Sequence, residues 1–173
     1  MVAHEGAAGA PAWDPGIWTL WSGGMIRNAP FEFDADDLTL RLDRTIPGCL
    51  EAIQPLVDEI MEAITGQGCA EGGEVQIEVA LLEALSNAVR HGCGEDSDRL
   101  VEVCVACEQD RGVLIVVRDP GAGFDPEEIP SPVQGERLLA SGGRGVFLIN
   151  QLMDEVTYRR GGTEIWMRKR PKT

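Results

Sequence analysis

The stretch Glu83-Ala-Leu-Ser-Asn87-Ala-Val-Arg-His91-Gly92 carries the strongest structural signal of this chain. At about 100° per residue, Glu83 and Asn87 fall on one side of a helix and are neighbours at positions i and i+4. Apolar Leu81 and Leu85 fall on the far side. A carboxylate beside an amide oxygen can hold a hard cation or position a hydroxyl for deprotonation. The same pair also suits an ordinary solvated helix face, so both interpretations stay open at this point.

A glycine-containing segment, Asp119-Pro-Gly121-Ala-Gly123-Phe-Asp125, directly follows a run rich in Val and Ile. Gly121 and Gly123 allow the backbone to approach a ligand closely. Asp119, at the end of the predicted strand, can accept a hydrogen bond from an exocyclic amine. The alternative is a plain glycine turn capped by the aspartate.

A second glycine-rich segment, Ser141-Gly142-Gly143-Arg144-Gly145, opens a predicted helix at Val146. Free N–H groups and the dipole at a helix N-terminus favour an anion, and Arg144 can add charge-assisted contacts. A glycine-rich helix start is weak evidence when it stands alone.

The elements around these segments alternate in a recognisable order. Hydrophobic periodicity predicts a strand at Leu38–Asp43, helices at Cys49–Ile64 and Glu74–His91, strands at Leu100–Cys107 and Val113–Arg118, a helix at Val146–Asp154 and a closing hairpin of Glu155–Arg159 and Thr163–Met167. This order predicts an α+β two-layer sandwich, in which a mixed, mostly antiparallel sheet carries helices on one face.

The domain organisation follows from composition. Residues 37–170 form the predicted domain, and residues 1–36 form an extension rich in Gly, Ala and Pro. That extension also holds Trp13, Trp18 and Trp21, which a pure linker does not carry. It is either a loosely ordered tail with a few residues pinned to the domain or a segment that binds a partner.

Charge and cysteine content exclude several classes of protein. The 15 Lys and Arg against 29 Asp and Glu give a net charge of −14, which argues against direct binding of nucleic acid. No apolar run reaches the length of a membrane span, and we expect no membrane association. Five cysteines without a secretory signal predict reduced thiols and a cytoplasmic protein. Cys104 and Cys107 have the spacing of a metal pair, but on a strand they point to opposite faces, which favours core packing.

The ordered set Glu83-x-x-x-Asn87, Asp119-x-Gly121-x-Gly123, Gly143-Arg-Gly145 before a helix, and a final Gly-Gly-Thr163 resembles the N, G1, G2 and terminal motifs of the Bergerat-type (GHKL) ATPases. The resemblance covers about residues 38 to 169. Within that superfamily, Ser86-Asn-Ala-Val-Arg-His-Gly92 and Gly142-Gly-Arg-Gly-Val-Phe-Leu-Ile149 are similar to the anti-sigma factor serine/threonine kinases of bacteria.

The resemblance implies ATP and Mg²⁺ as ligands and gives each motif residue an expected role. Asn87 is the expected Mg²⁺ ligand, and Glu83 is the expected catalytic base. Residues 126–141 are the expected lid over the nucleotide. Asp119 is expected at the adenine amine, with Gly121 and Gly123 beside the ring. Thr163 is expected to support the adenine contact through water. The residues expected beside the triphosphate are Gly143, Arg144 and Gly145.

The implied function is that of a homodimeric kinase that phosphorylates a STAS-like antagonist protein and sequesters a sigma factor. The alternative is an ATP-gated partner-binding module with little or no kinase activity. Retention of both Glu83 and Asn87 favours the kinase. A histidine kinase catalytic domain is disfavoured, because no dimerising helix pair with a phosphoacceptor histidine precedes Leu38.

Overall fold

A five-stranded sheet with three α-helices forms the part of the chain that the computed structural model describes, which is residue 33, residues 37–124 and residues 143–172. The strand order is β1-β2-β3-β5-β4, and each neighbouring pair is antiparallel. The strands are β1 (Leu40–Pro47), β2 (Leu100–Glu108), β3 (Gly112–Arg118), β4 (Glu155–Arg159) and β5 (Glu164–Lys169), and the helices are α1 (Ile53–Gln67), α2 (Glu74–Asn87) and α3 (Gly143–Leu152).

The predicted α+β class is confirmed, with one correction to the sheet. The sequence predicts a mixed sheet, whereas all pairings among the described strands are antiparallel. Two hairpins, β2–β3 and β4–β5, supply four of the strands, and β1 joins the edge of β2 in the opposite direction. β1 also extends past its predicted end at Asp43 to Pro47. A proline is tolerated in an edge strand, because some backbone N–H groups of such a strand need no hydrogen-bond partner in the sheet.

The predicted helix Glu74–His91 has a change of geometry near its end. Regular α-helix α2 ends at Asn87, and a π-helical turn continues it from Ala88 to Cys93. Gly94 closes the turn with φ 68°, a left-handed conformation that glycine adopts without steric cost. Such π-turns are frequent at functional sites, and this one begins directly after Asn87.

The main core lies between the helices and one face of the sheet. Helices α1 and α2 contribute fully buried side chains to it, among them Val57, Ile60, Ile64, Ile77, Leu81 and Leu85. The prediction that Leu81 and Leu85 face away from the polar side of α2 is therefore confirmed. Burial of these apolar stripes fixes the rotation of α2, so Glu83 and Asn87 must face the other way.

Alternation along β2 separates its two cysteines as predicted. Cys107 belongs to the main core, and Cys104 belongs to a second apolar cluster on the opposite face. Cys69 and Cys107 lie against each other in the main core, with their Cα atoms 6.2 Å apart. The expectation of reduced thiols stays a prediction. Cys69 lies in the α1–α2 connection, and nothing in the local sequence marks it as the partner of a residue on β2.

Two predicted segments fall outside the described residues. The expected lid at 126–141 is one, and the extension at 1–36, apart from Phe33, is the other. The domain boundary before residue 37 stays a prediction. No helix within residues 37–124 and 143–172 is long and apolar enough to cross a membrane.

Candidate nucleotide-binding site

Glu83 and Asn87 are brought together on α2 and face the start of α3. A methyl group placed on Gly145 would lie 2.6 Å from Glu83 Oε2 and 3.0 Å from Asn87 Nδ2. Both side chains are half-buried. Gly145 therefore provides space that any larger residue would fill, and the two polar groups converge on the backbone of a helix N-terminus.

Gly143 and Arg144 form the first turn of α3, where backbone N–H groups lack intrahelical partners. The Arg144 side chain is exposed at this end. Ser141 and Gly142, which precede this turn in the sequence motif, lie outside the described residues. The described part of the motif thus places the Gly145 backbone and the start of α3 beside Glu83 and Asn87, with Arg144 in the same helical turn. A helix N-terminus of this kind is a chemically suitable place for phosphate.

Asp119 lies at the end of β3, held through both its backbone and its side chain. Its N–H donates to the carbonyl of Thr163 at 3.0 Å, which continues the β3–β5 pairing. Its carboxylate Oδ1 accepts the N–H of Gly121 at 2.8 Å. The side chain is only half-buried, so part of the carboxylate remains available to a ligand.

Burial raises the pKa of Asp119 above its ordinary value of 3.8. The hydrogen bond from Gly121 and the positive charge of Arg99 act in the opposite direction, but desolvation is the largest effect. A carboxylate in such a setting gains from a ligand that donates a hydrogen bond to it.

The backbone of Gly92 is packed directly against Asp119. A methyl group on Gly92 would lie 2.2 Å from the Asp119 carboxyl carbon, and one on Gly121 would lie 2.7 Å from both Asp119 Oδ1 and the Gly92 Cα. Only glycine fits at these two positions without displacing the carboxylate. The π-turn after Asn87 therefore links the Glu83–Asn87 side of the site to the Asp119 side.

Gly123 contacts the closing hairpin. Its φ of 76° is left-handed, and a methyl group there would overlap the carbonyl of Gly161. The next residue, Phe124, donates its N–H to that carbonyl at 2.8 Å, and its ring makes an edge contact with Tyr158, with 5.4 Å between ring centroids. The prediction that Gly123 allows close backbone approach is consistent with this packing, although the backbone that approaches belongs to the protein itself.

Thr163 lies next to this contact, but its side chain is engaged locally. Its hydroxyl donates to the carbonyl of Arg160 at 3.1 Å, and its methyl group faces Gly123. The bond to Asp119 comes from the Thr163 backbone. The expected support of the adenine contact by the Thr163 hydroxyl stays a prediction.

The roles of two residues of the site, Gly92 and Arg99, do not follow from the sequence. The Arg99 guanidinium donates to the carbonyl of Pro120 at 2.8 Å and to that of Cys93 at 3.4 Å. It thus joins the end of the π-turn to the loop that follows Asp119. No periodicity or spacing marks Arg99, because its partners lie on separate segments.

The residues present fit a nucleotide whose base carries an exocyclic amine, together with a cation. Glu83, Asn87 and the α3 N-terminus supply oxygen ligands and N–H donors at one end, and Asp119 supplies an acceptor at the other. In the described ranges no three His, Cys, Asp or Glu side chains converge as a metal site. Mg²⁺ in proteins is often held by only one or two side chains together with phosphate oxygens and water.

Comparison with known proteins agrees with this geometry. The family model of the histidine kinase-like ATPase domain matches residues 46–169. A serine-protein kinase RsbW of Staphylococcus epidermidis is 37% identical over 99 residues, which cover 53% of this chain and 62% of that protein. The protein of the same name from Staphylococcus aureus strain JH9 is 35% identical over 99 residues with the same coverage. The match therefore spans less than two thirds of the length of these relatives.

The family match contains all the positions whose contacts build the site, from Glu83 on α2 to Thr163 before β5. It also spans all three helices and four complete strands of the described fold. This chain belongs to the histidine kinase-like ATPase domain family.

Proposed function

We propose that this chain is an ATP-dependent serine/threonine protein kinase that phosphorylates an antagonist protein and regulates a sigma factor. The observation that carries the proposal is the convergence of Glu83 and Asn87 on the Gly145 backbone at the start of α3. The resemblance of the motifs to anti-sigma factor kinases and the similarity to proteins named serine-protein kinase support it.

ATP is the proposed phosphate donor, with Mg²⁺ as its cation. Asp119 accepts from the adenine amine, with Gly121 and Gly123 leaving room beside the ring. Asn87 supplies an amide oxygen to Mg²⁺, which neutralises charge on the phosphate oxygens when bound. Gly143, Arg144 and Gly145 border the triphosphate with N–H donors and a guanidinium. In a chain of net charge −14, these few groups must offset the repulsion of a polyanion.

Glu83 is the proposed general base. Its carboxylate takes the proton of a serine hydroxyl on the protein substrate as that oxygen bonds the γ-phosphorus. The bond from the γ-phosphorus to the bridging oxygen breaks, and ADP leaves with the electron pair. Phosphoryl transfer depends mostly on positioning and electrostatics, which a rigid helix face and a helix N-terminus can supply.

The proposed partners are a STAS-like antagonist protein that carries the acceptor serine and a sigma factor. We further propose a homodimer located in the cytoplasm. These parts rest on the motif resemblance described above. Sedimentation of the purified chain tests the dimer, and recovery of partners from a native lysate with and without ATP tests the sigma factor.

Two substitutions on α2 separate the proposed roles of base and metal ligand. Glu83→Gln keeps the shape of the side chain, so Mg·ATP binding is retained while phosphate transfer to an antagonist protein falls about 10²–10⁴-fold. Asn87→Ala weakens ATP binding measured by calorimetry and removes its dependence on Mg²⁺. Glu78→Gln on the same helix is the matched control and leaves both quantities unchanged.

Three outcomes would count against this assignment. Wild-type transfer rates in Glu83→Gln exclude the base, and equal ATP affinity with and without metal excludes the Asn87 role. ATP-dependent partner binding with no phosphate transfer by the wild-type protein supports the ATP-gated binding module instead.

A further inference from the structure

A second apolar cluster covers the middle of the sheet on the face away from the helices. Along the strand register, Cys104 lies opposite Val116 and Val116 lies opposite Trp166. The next row pairs Ala106 with Leu114. These five side chains are each at most 3% exposed. We call this surface the outer face.

None of the described helices contributes to the outer face. The buried apolar residues of α1 and α2 and Ile149 of α3 belong to the main core, and the outer-face cluster contains strand residues together with Phe33 and Leu38. In a two-layer α+β fold, the sheet face without helices is normally in contact with solvent. Its burial here requires an additional layer.

Phe33 shows where that layer begins. Its side chain is 2% exposed and belongs to the outer-face cluster, and the guanidinium of Arg168 lies 5.5 Å from the centre of its ring. Leu38 packs against the same cluster before the chain enters β1 at Leu40. The chain therefore reaches the sheet by way of the outer face.

Trp166 shows that the layer extends beyond Phe33. Its side chain is 1% exposed, although a tryptophan has about 150–250 Å² to bury. Its described polar neighbours are Arg159, whose guanidinium lies 5.0 Å from the ring centre, and Glu164, which accepts the indole N–H at 2.6 Å. These two groups lie beside the polar part of the Trp166 ring. They do not cover the apolar cluster, whose burial therefore needs further apolar side chains.

We propose that residues 13–32 form this cover, with Trp13, Trp18, Trp21 and Phe31 packed on the outer face. This segment has the composition for it, since it is rich in aromatic side chains and carries few charges. It also has the reach. Five strands about 4.8 Å apart span roughly 20 Å, and the 12 residues from Trp21 to Phe33 can extend to about 40 Å.

The consequence is that, with the extension in place, the outer face is not available for contact between two copies of the chain. A homodimer of this protein must then use a different surface, or form only when the segment is displaced. The alternative is that a second copy of the chain covers the outer face. Dilution distinguishes the two, because it separates two copies but does not release a segment of the same chain.

The rate at which the Cys104 thiol is modified shows whether the outer face is covered. It is a free cysteine on the outer face, while Cys93 is a free cysteine that is equally buried in the main core. The full chain is treated with N-ethylmaleimide, and modification at each cysteine is followed by peptide mass spectrometry. The variants are Trp13→Ser/Trp18→Ser/Trp21→Ser and the matched control with phenylalanine at the same three positions.

We expect Cys104 to be modified about tenfold faster or more in the serine variant, because a tenfold change needs only about 1.4 kcal/mol. The phenylalanine variant stays close to the wild type, and Cys93 stays protected in all three proteins, which excludes global unfolding. Each measurement is repeated over a dilution series. Protection of the serine variant that is lost on dilution also supports the proposal, since it shows that a second copy takes over the exposed face.

Two results would overturn the proposal. One is unchanged Cys104 protection in the serine variant at every concentration. The other is wild-type protection that falls on dilution, which would make a second copy the resident cover. Neither result bears on the nucleotide site, which lies on the helix side of the sheet.

Discussion

The backbone of Gly145 lies directly against the carboxylate of Glu83, since a methyl group at Gly145 would come within 2.6 Å of Oε2. Gly145→Ala therefore pushes Glu83 and Asn87 out of place. We expect phosphate transfer to fall about 10²-fold, which is typical when catalytic groups are displaced by about 1 Å. Kinetics of transfer to the antagonist protein measure this.

Gly66→Ala is the control for that substitution. Gly66 lies in α1, is exposed, and has nothing within 4 Å of an added methyl group. Activity is unchanged, and the free energy of unfolding rises by up to about 1 kcal/mol because alanine has the higher helix propensity. A Gly145→Ala protein with wild-type transfer rates would show that the site tolerates displacement of Glu83.

Asp119→Asn is expected to bind ATP more weakly. The amide can present its N–H₂ to the adenine amine, leaving two donors facing each other, and the loss is about 2–3 kcal/mol. Selectivity for ATP over GTP falls with it. Calorimetry with both nucleotides gives the result, and Asp110→Asn in the exposed β2–β3 turn serves as the control. Unchanged ATP affinity in Asp119→Asn would remove this residue from the adenine site.

The same substitution is expected to stabilise the fold at neutral pH. Burial raises the pKa of Asp119 in the folded state above its unfolded value, so the folded protein binds this proton more tightly. Stability then falls as pH rises from below the unfolded pKa through the folded one. Asp119→Asn does not undergo this loss, so its free energy of unfolding in urea is higher than that of the wild type at neutral pH. The difference disappears at a pH below both the unfolded and the folded pKa of Asp119. A destabilised Asp119→Asn protein at pH 7 would contradict the sign of the shift.

ATP binding is expected to weaken with acid at a higher pH than an ordinary aspartate would cause. The ionised carboxylate accepts from adenine, and its raised pKa places protonation above the usual value of 3.8. ATP affinity is measured as a function of pH for the wild type and for Asp119→Asn. The difference between the two curves isolates the titration of Asp119, because protonation of the ATP phosphates contributes equally to both. If the two pH curves of ATP affinity have the same shape and differ only by a constant factor, Asp119 does not titrate over the pH range measured.

Arg99 is expected to position the loop that follows Asp119 and to lower the pKa of the Asp119 carboxyl. Arg99→Met removes the bonds to the Pro120 and Cys93 carbonyls and also the positive charge that lowers the pKa of Asp119. The acid midpoint of ATP binding then moves to higher pH. Arg99→Lys restores the midpoint because it keeps the charge, but it regains less of the unfolding free energy because an ammonium lacks the planar fork. Identical midpoints in all three proteins would leave Arg99 with a purely structural role.

Much of the fold follows from local patterns in the sequence. Leu81 and Leu85 are buried and Glu83 and Asn87 share the opposite side of α2, because a 3.6-residue period assigns each side chain to a face before any packing occurs. The separation of Cys104 from Cys107 follows in the same way from the two-residue period of a strand. The β2–β3 and β4–β5 hairpins are predicted by the glycines between them.

Other features depend on contacts between segments that lie far apart in the chain. Gly92 against Asp119, Gly145 against Glu83 and the bridge made by Arg99 join residues that no local period relates. The contact of Cys69 with Cys107 and the burial of the outer face under Phe33 are of the same kind. Periodicity tells which way a side chain points from its own element. Which backbone meets it depends on how helices and sheet stack, and that is fixed by burial of the whole core at once.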